Sequence, residues 1–110
     1  MVKLDIKPLS LNKAYRGRRF STQELKDFKD TIVFKMLRPM KIPEGRLSVK
    51  YRFGVSQKNV DGDNLIKSFQ DSLAEAYGFN DNLIFHWDVT KVITQKGKEF
   101  IEFSIKKCDD

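Results

Sequence analysis

Cysteine occurs once in this chain, at Cys108, and histidine once, at His86. A lone thiol excludes an internal disulfide, and neither residue has the partners that a zinc motif needs. His86 has no serine or cysteine arrangement beside it for nucleophilic catalysis, so it is assigned a structural role; Cys108, close to the C-terminus, is read as incidental. No run of about 18 apolar residues is present, so no membrane span is expected. Met1-Val2-Lys3-Leu4-Asp5 carries charge where a secretion signal needs an apolar stretch. These absences together predict a cytoplasmic protein without a membrane partner. There is also no P-loop, GxGxxG motif, internal repeat, low-complexity tract or interdomain linker.

What is there suffices for one core. The 110 residues fit a single domain, 1–110, and 40% of them are hydrophobic, including nine Phe. The net charge of +6 is unevenly spread. Residues 1–52 hold 14 Lys and Arg against 5 acids, whereas residues 53–110 hold 7 against 10. A basic half attracts a polyanion, although many small proteins are basic without binding nucleic acid.

Alternation of Val2, Leu4 and Ile6 with Lys3, Asp5 and Lys7 predicts a first strand, ended by Pro8. Residues 9–20 read as a loop. Ser21-Thr22-Gln23-Glu24 offers a capping box, and a helix follows to about Leu37, with Leu25, Phe28, Ile32 and Met36 on one face. Pro39 and Pro43 stop it. Leu47, Val49, Tyr51 and Phe53 mark a second strand with one basic face. A second helix is predicted from Asp63 to Tyr77, with Leu65, Phe69, Leu73 and Ala76 buried and Gly78 as its C-terminal cap. Strands at 84–93 and 99–106 follow, joined by a hairpin turn at Gln95-Lys96-Gly97-Lys98. The order β-α-β-α-β-β predicts an α/β fold, two main helices packed on one face of a small mixed sheet.

The richest stretch is Asp61-Gly62-Asp63-Asn64-Leu65-Ile66-Lys67, two carboxylates flanking a glycine where a loop becomes a helix. Asp63, Lys67 and Asp71 follow at i, i+4 and i+8. Asp81 lies in the next loop. Magnesium prefers oxygen ligands and keeps several waters, so two or three carboxylates suffice to hold it. Against this, Asp63 is also a plausible N-cap, Asp61-Gly62 an ordinary turn, and Asp81 a solvated acid. Lys67 is a candidate for contacting a scissile phosphate, or else a surface lysine paired with Asp63 or Asp71. Lys13, Arg16, Arg18 and Arg19, interleaved with Tyr15 and Phe20, suit phosphate contacts and base stacking, and equally a solvated basic loop. Trp87 is read as core or interface.

Asp61 to Leu73 resembles the signature of RusA-type Holliday-junction resolvases: Asp-x-Asp-Asn, a Lys three residues after the Asn, then Asp-x-Leu. Asn80-Asp81-Asn82-Leu83-Ile84 and Lys91 continue the pattern without a gap, and Pro8, Ser10, Asn12 and Arg16 resemble its opening. Many relatives carry two adjacent acids where this chain has Asn80-Asp81. The register that aligns Ile84 and Lys91 puts Asp81 at the catalytic acid. The Leu83 position often holds a polar residue in relatives. The resemblance implies a homodimeric, Mg2+-dependent endonuclease that cuts four-way DNA junctions in recombination and repair, of a kind common in phages and prophages. It implies that Asp61, Asp63 and Asp81 hold the metal and that Lys67 assists catalysis; Lys91 joins the basic loop as a DNA contact. Two alternatives stay open: a less selective nuclease of branched DNA, and a junction-binding protein without catalysis.

Overall fold

The computed structural model describes residues 1–10, 15–16, 20–35 and 41–108. Its elements are β1 (Val2–Leu4), β2 (Tyr15–Arg16), β3 (Phe20–Ser21), α1 (Gln23–Lys35), β4 (Leu47–Val55), α2 (Asp63–Tyr77), a single 3-10 turn (Asp81–Leu83), β5 (Ile84–Ile93) and β6 (Phe100–Lys107). The main elements follow the expected order β-α-β-α-β-β. The short β2–β3 hairpin inside the predicted loop is an addition; its strands are two residues each and lack the alternation that announces a strand.

Four strands form one mixed sheet in the order β1-β6-β4-β5. β4 is central, parallel to β5 and antiparallel to β6, with α2 as the crossover between β4 and β5. Its inward residues Leu47, Val49, Tyr51, Phe53 and Val55 are buried. On them rest Phe28 and Ile32 of α1 and Leu65, Phe69 and Leu73 of α2. Phe69 is the hub, its ring meeting those of Tyr51, Phe53 and Phe103 at 5.3, 6.0 and 5.5 Å between centroids in edge-to-face geometry. Such pairs add about 0.5–1.5 kcal/mol each beyond area burial. Arg52 and Glu102, facing partners on β4 and β6, form a 3.2 Å ion pair.

Two local expectations change. The cap of α1 is Thr22, whose hydroxyl accepts the Leu25 N–H at 3.2 Å, and Ser21 belongs to β3. Both residues have the required hydroxyl, and the strand decides between them by taking Ser21. Met36 and Leu37 lie outside the described residues. The second change concerns Gln95–Lys98. It is a tight turn, closed by the Lys98 N–H on the Gln95 carbonyl at 2.9 Å with Gly97 at φ 89°. It does not make a hairpin, because β6 pairs with β4 and β1, not with β5. The connection steps over the end of β4, about 9.6 Å at two strand spacings. In α2, Ser68 and Ser72 join the buried stripe. The Ser68 hydroxyl donates to the Leu9 carbonyl, tying the segment after β1 to the helix.

Candidate functional site

The acidic motif sits where β4 passes into α2. Residues 56–62 leave the C-terminal end of a parallel strand, the end at which ligand sites gather in open α/β sheets. Lys91, beside Phe53 in the β4–β5 ladder, donates its ammonium to the carbonyls of Lys58 (3.0 Å) and Val60 (2.8 Å). The Ser56 hydroxyl donates to the Glu99 carboxylate at 3.1 Å, whose other oxygen accepts the Gly97 N–H at 2.7 Å. The loop is thus pinned to β5 and to the turn before β6. Hydrogen bonds from the backbone N–H groups of Glu99 itself and of Gly97, the Ser56 hydroxyl and the Lys7 charge together hold the Glu99 carboxyl below its usual range.

α2 starts tightly, with the Asn64 N–H on the Asp61 carbonyl and the Leu65 N–H on the Gly62 carbonyl, both 3.1 Å. Gly62 is the N-cap residue and there is no side-chain cap, so Asp63 is the first helical residue and is not spent on capping. Its charge in the first turn interacts favourably with the helix dipole, worth about 0.3–1 kcal/mol. At the other end Gly78, at φ 70°, takes the left-handed conformation, its N–H on the Ala74 carbonyl at 2.8 Å.

Along the flank of α2 runs a groove of about 360 Å³ lined by Asp63, Ile66, Lys67, Gln70, Asp71, Asp81 and Trp87. Asp71 and Asp81 also line an adjoining recess with Lys29 and Asn80. Lys67 pairs with Asp71 at 3.3 Å. Gln70 organises the wall: its side-chain oxygen accepts the buried Tyr51 hydroxyl at 3.0 Å and the Trp87 indole N–H at 2.9 Å. Burial first, and then the charge of Asp81, push the Tyr51 hydroxyl well above its usual pKa, so Tyr51 stays a neutral donor. Trp87 is 46% exposed, a groove wall rather than core. His86, assigned a structural role, is exposed on β5.

The expected acids divide. Asp63 and Asp81 share the groove, whereas Asp61 lines a different cavity of about 580 Å³, together with Asn64, Lys7, Glu24, Asp27 and Glu99. Asp71 and Asp81 share both hollows, and eight residues of helix from Asp63 to Asp71 rise about 12 Å. The carboxylates have the right chemistry for Mg2+, but Asp61 lines a cavity other than the groove that Asp63 and Asp81 share. Among the described residues, no three His, Cys, Asp or Glu side chains come together to hold a metal ion. Of the basic residues, Lys13, Arg18 and Arg19 lie outside the described residues, and Arg16 falls in β2. Gln70 and Tyr51 escaped the sequence reading, although Gln70 falls on the same helical strip as Asp63 and Lys67. Compared with known proteins, the chain matches no protein-family model, and no curated protein matches it.

Proposed function

We propose that this protein is a structure-selective DNA endonuclease of the RusA type, acting on four-way junctions as a homodimer with Mg2+. The observation that carries the reading is the groove, which Asp63, Lys67 and Asp71 of α2 line together with Asp81, eighteen residues downstream of Asp63. Carboxylates held beside a lysine, in a chain of net charge +6, suit a phosphodiester substrate. Mg2+, when bound, supplies charge neutralisation at the cut phosphate and a water of lowered pKa. For this chain's own residues, Lys67 offers positive charge within the groove, the Tyr51–Gln70–Trp87 network fixes its wall, and Lys91 holds the loop from which Asp63 projects. A second reading, a junction-binding protein without catalysis, is favoured by the separation of the acids within one chain.

The two readings part on cleavage of a four-way junction across a magnesium titration, with flap and linear duplex substrates as controls. We expect cutting of the junction in preference to the linear duplex. Asp63→Asn should abolish cutting, by at least about 100-fold, and leave junction binding within about two-fold, because the acid serves chemistry and the cations serve affinity. Junction binding with no cutting at any metal concentration would establish the second reading.

A further inference from the structure

The cavity of about 580 Å³ that Asp61 borders differs in composition from the groove. It lies where the segment after β1, one strip of α1 and the loop from β4 to α2 come together. Its lining includes the buried Phe28, Val55 and Leu65 and the partly buried Ile6, Leu9 and Val60. From α1 it takes Glu24, Asp27, Phe28 and Thr31, spaced i, i+3, i+4 and i+7, which is one face of a helix. Small-molecule sites of about 300–1,000 Å³ combine such an apolar lining with a few polar groups that orient the ligand. The walls are also held in place. The Leu9 carbonyl accepts the Ser68 hydroxyl, the Val60 carbonyl accepts the Lys91 ammonium, and Ser56 donates to Glu99. A cavity fixed before its ligand arrives loses little by ordering on binding.

The charge of the lining is negative, in a chain whose net charge is +6. Glu24, Asp27, Asp61 and Glu99 stand against one cation among the described lining residues, Lys7. The Lys7 charge acts on Glu99, whose carboxyl it helps to hold below its usual range. No second lysine or arginine lines the cavity to balance the other three acids. These acids do not gather round a point, since among the described residues no three of them come together to hold a metal ion. A bare divalent ion needs several oxygens at about 2.0–2.6 Å, and carboxylates spread around an apolar hollow do not offer that. An ammonium or guanidinium on an apolar body needs only one or two carboxylates, which it meets through charge-assisted hydrogen bonds.

We infer that this cavity is a binding site for a small organic cation, with the apolar body against Phe28, Val55 and Leu65 and the ammonium or guanidinium group at Glu24 and Asp27. Nothing in it depends on nuclease chemistry or on the groove beside Trp87. A chain whose net charge attracts polyanions thus holds one cavity that selects the opposite sign.

Naphthylmethylamine, protonated at neutral pH, serves as the probe, with naphthylmethanol as its uncharged counterpart and naphthoate as the anion. Binding to the full chain is followed at low salt by two-dimensional amide NMR. We expect the amine to shift the amides of residues 24–31 and 56–61 and to leave the Trp87 indole N–H in place. It should bind at least about ten-fold tighter than naphthylmethanol, the effect of one or two carboxylate pairs. Glu24→Gln combined with Asp27→Asn, checked for fold by circular dichroism, should bring the amine to within about two-fold of naphthylmethanol, whose own binding should not change. Thr31→Trp, which puts a large side chain into the cavity, should block both probes. No shift of these amides at millimolar probe would overturn the inference. So would naphthylmethanol or naphthoate binding as well as the amine, shifts centred on Trp87, or a double variant that keeps the preference for the amine. Should the double variant fail to fold, Thr31→Trp decides, and amine binding that survives it sinks the site.

Discussion

Glu99 accepts from both Ser56 and Gly97, and its carboxyl is held below the ordinary value of 4.5. A depressed folded-state pKa stabilises the fold above the unfolded value, and that contribution is lost as pH falls through the lowered one. Glu99→Gln should therefore melt below the wild type at pH 7, and the gap should close progressively below about pH 4.5 in thermal melts. A gap unchanged at pH 3 would assign the effect to shape instead of charge. Lys91 carries a similar lesson. As a basic residue at the end of a predicted strand it is easily read as a phosphate contact, yet its ammonium is occupied by two carbonyls of its own chain. Nothing in residue spacing announces that use, because the partners are backbone oxygens more than thirty positions away. That Asp63, Lys67 and Asp71 share one strip of α2 was legible from their i, i+4, i+8 spacing. The placement of Asp61 in a different cavity was not, because that depends on how the loop packs against distant segments.

At the scale of elements, α2 and β4 were read almost residue by residue, because apolar periodicity and a C-terminal glycine are local signals. The failures are of partnership. A Gly-containing turn between two strands resembles a hairpin, but β4 offers a longer apolar face to β6 than the exposed β5 does, and β6 takes it. Gly54 illustrates the fit of that pair. A side chain there would run into the ring of Phe100, its neighbour on β6. The loop between β4 and α2 is the element on which the site depends. Lys91→Met removes its two hydrogen bonds, and the amides of residues 57–62 should then exchange with deuterium about ten-fold faster or more, at about 1.4 kcal/mol of lost local stability per decade. The α2 core amides should be unchanged. Unaltered exchange in the loop would return Lys91 to the role of a DNA contact.

The whole molecule has a polarity of charge that the sheet does not reveal. The first 52 residues carry all of the positive excess, and the second half, net negative, carries every acid of the candidate site. Affinity and chemistry should therefore be separable by mutation. Replacing Arg16, Arg18 and Arg19 together by Ala should weaken junction binding and lower the log–log salt slope by about 0.9 for each phosphate contact removed. A slope equal to that of the wild type would mean that these residues make no phosphate contacts. Net charge and its asymmetry were legible from composition alone; the surface that faces DNA depends on where distant segments come together.

β1 has consequences in time. Among the described residues it joins the sheet solely through β6, with Val2 opposite Phe103 and Leu4 opposite Ile101. β1 thus pairs in the sheet with residues about 100 positions further along the chain, so on the ribosome it must wait for them. Contacts of such long sequence separation cost loop-closure entropy before they return any stability, and they tend to form late. Leu4 is the buried residue of β1, so Leu4→Ala reports on when the strand docks. In stopped-flow refolding it should leave the folding rate within about two-fold and accelerate unfolding by most of its equilibrium cost, the pattern of contacts absent from the transition state. A slowed folding arm would instead mean that the two ends of the sheet meet early, and that β6 recruits β1 before β4 is covered.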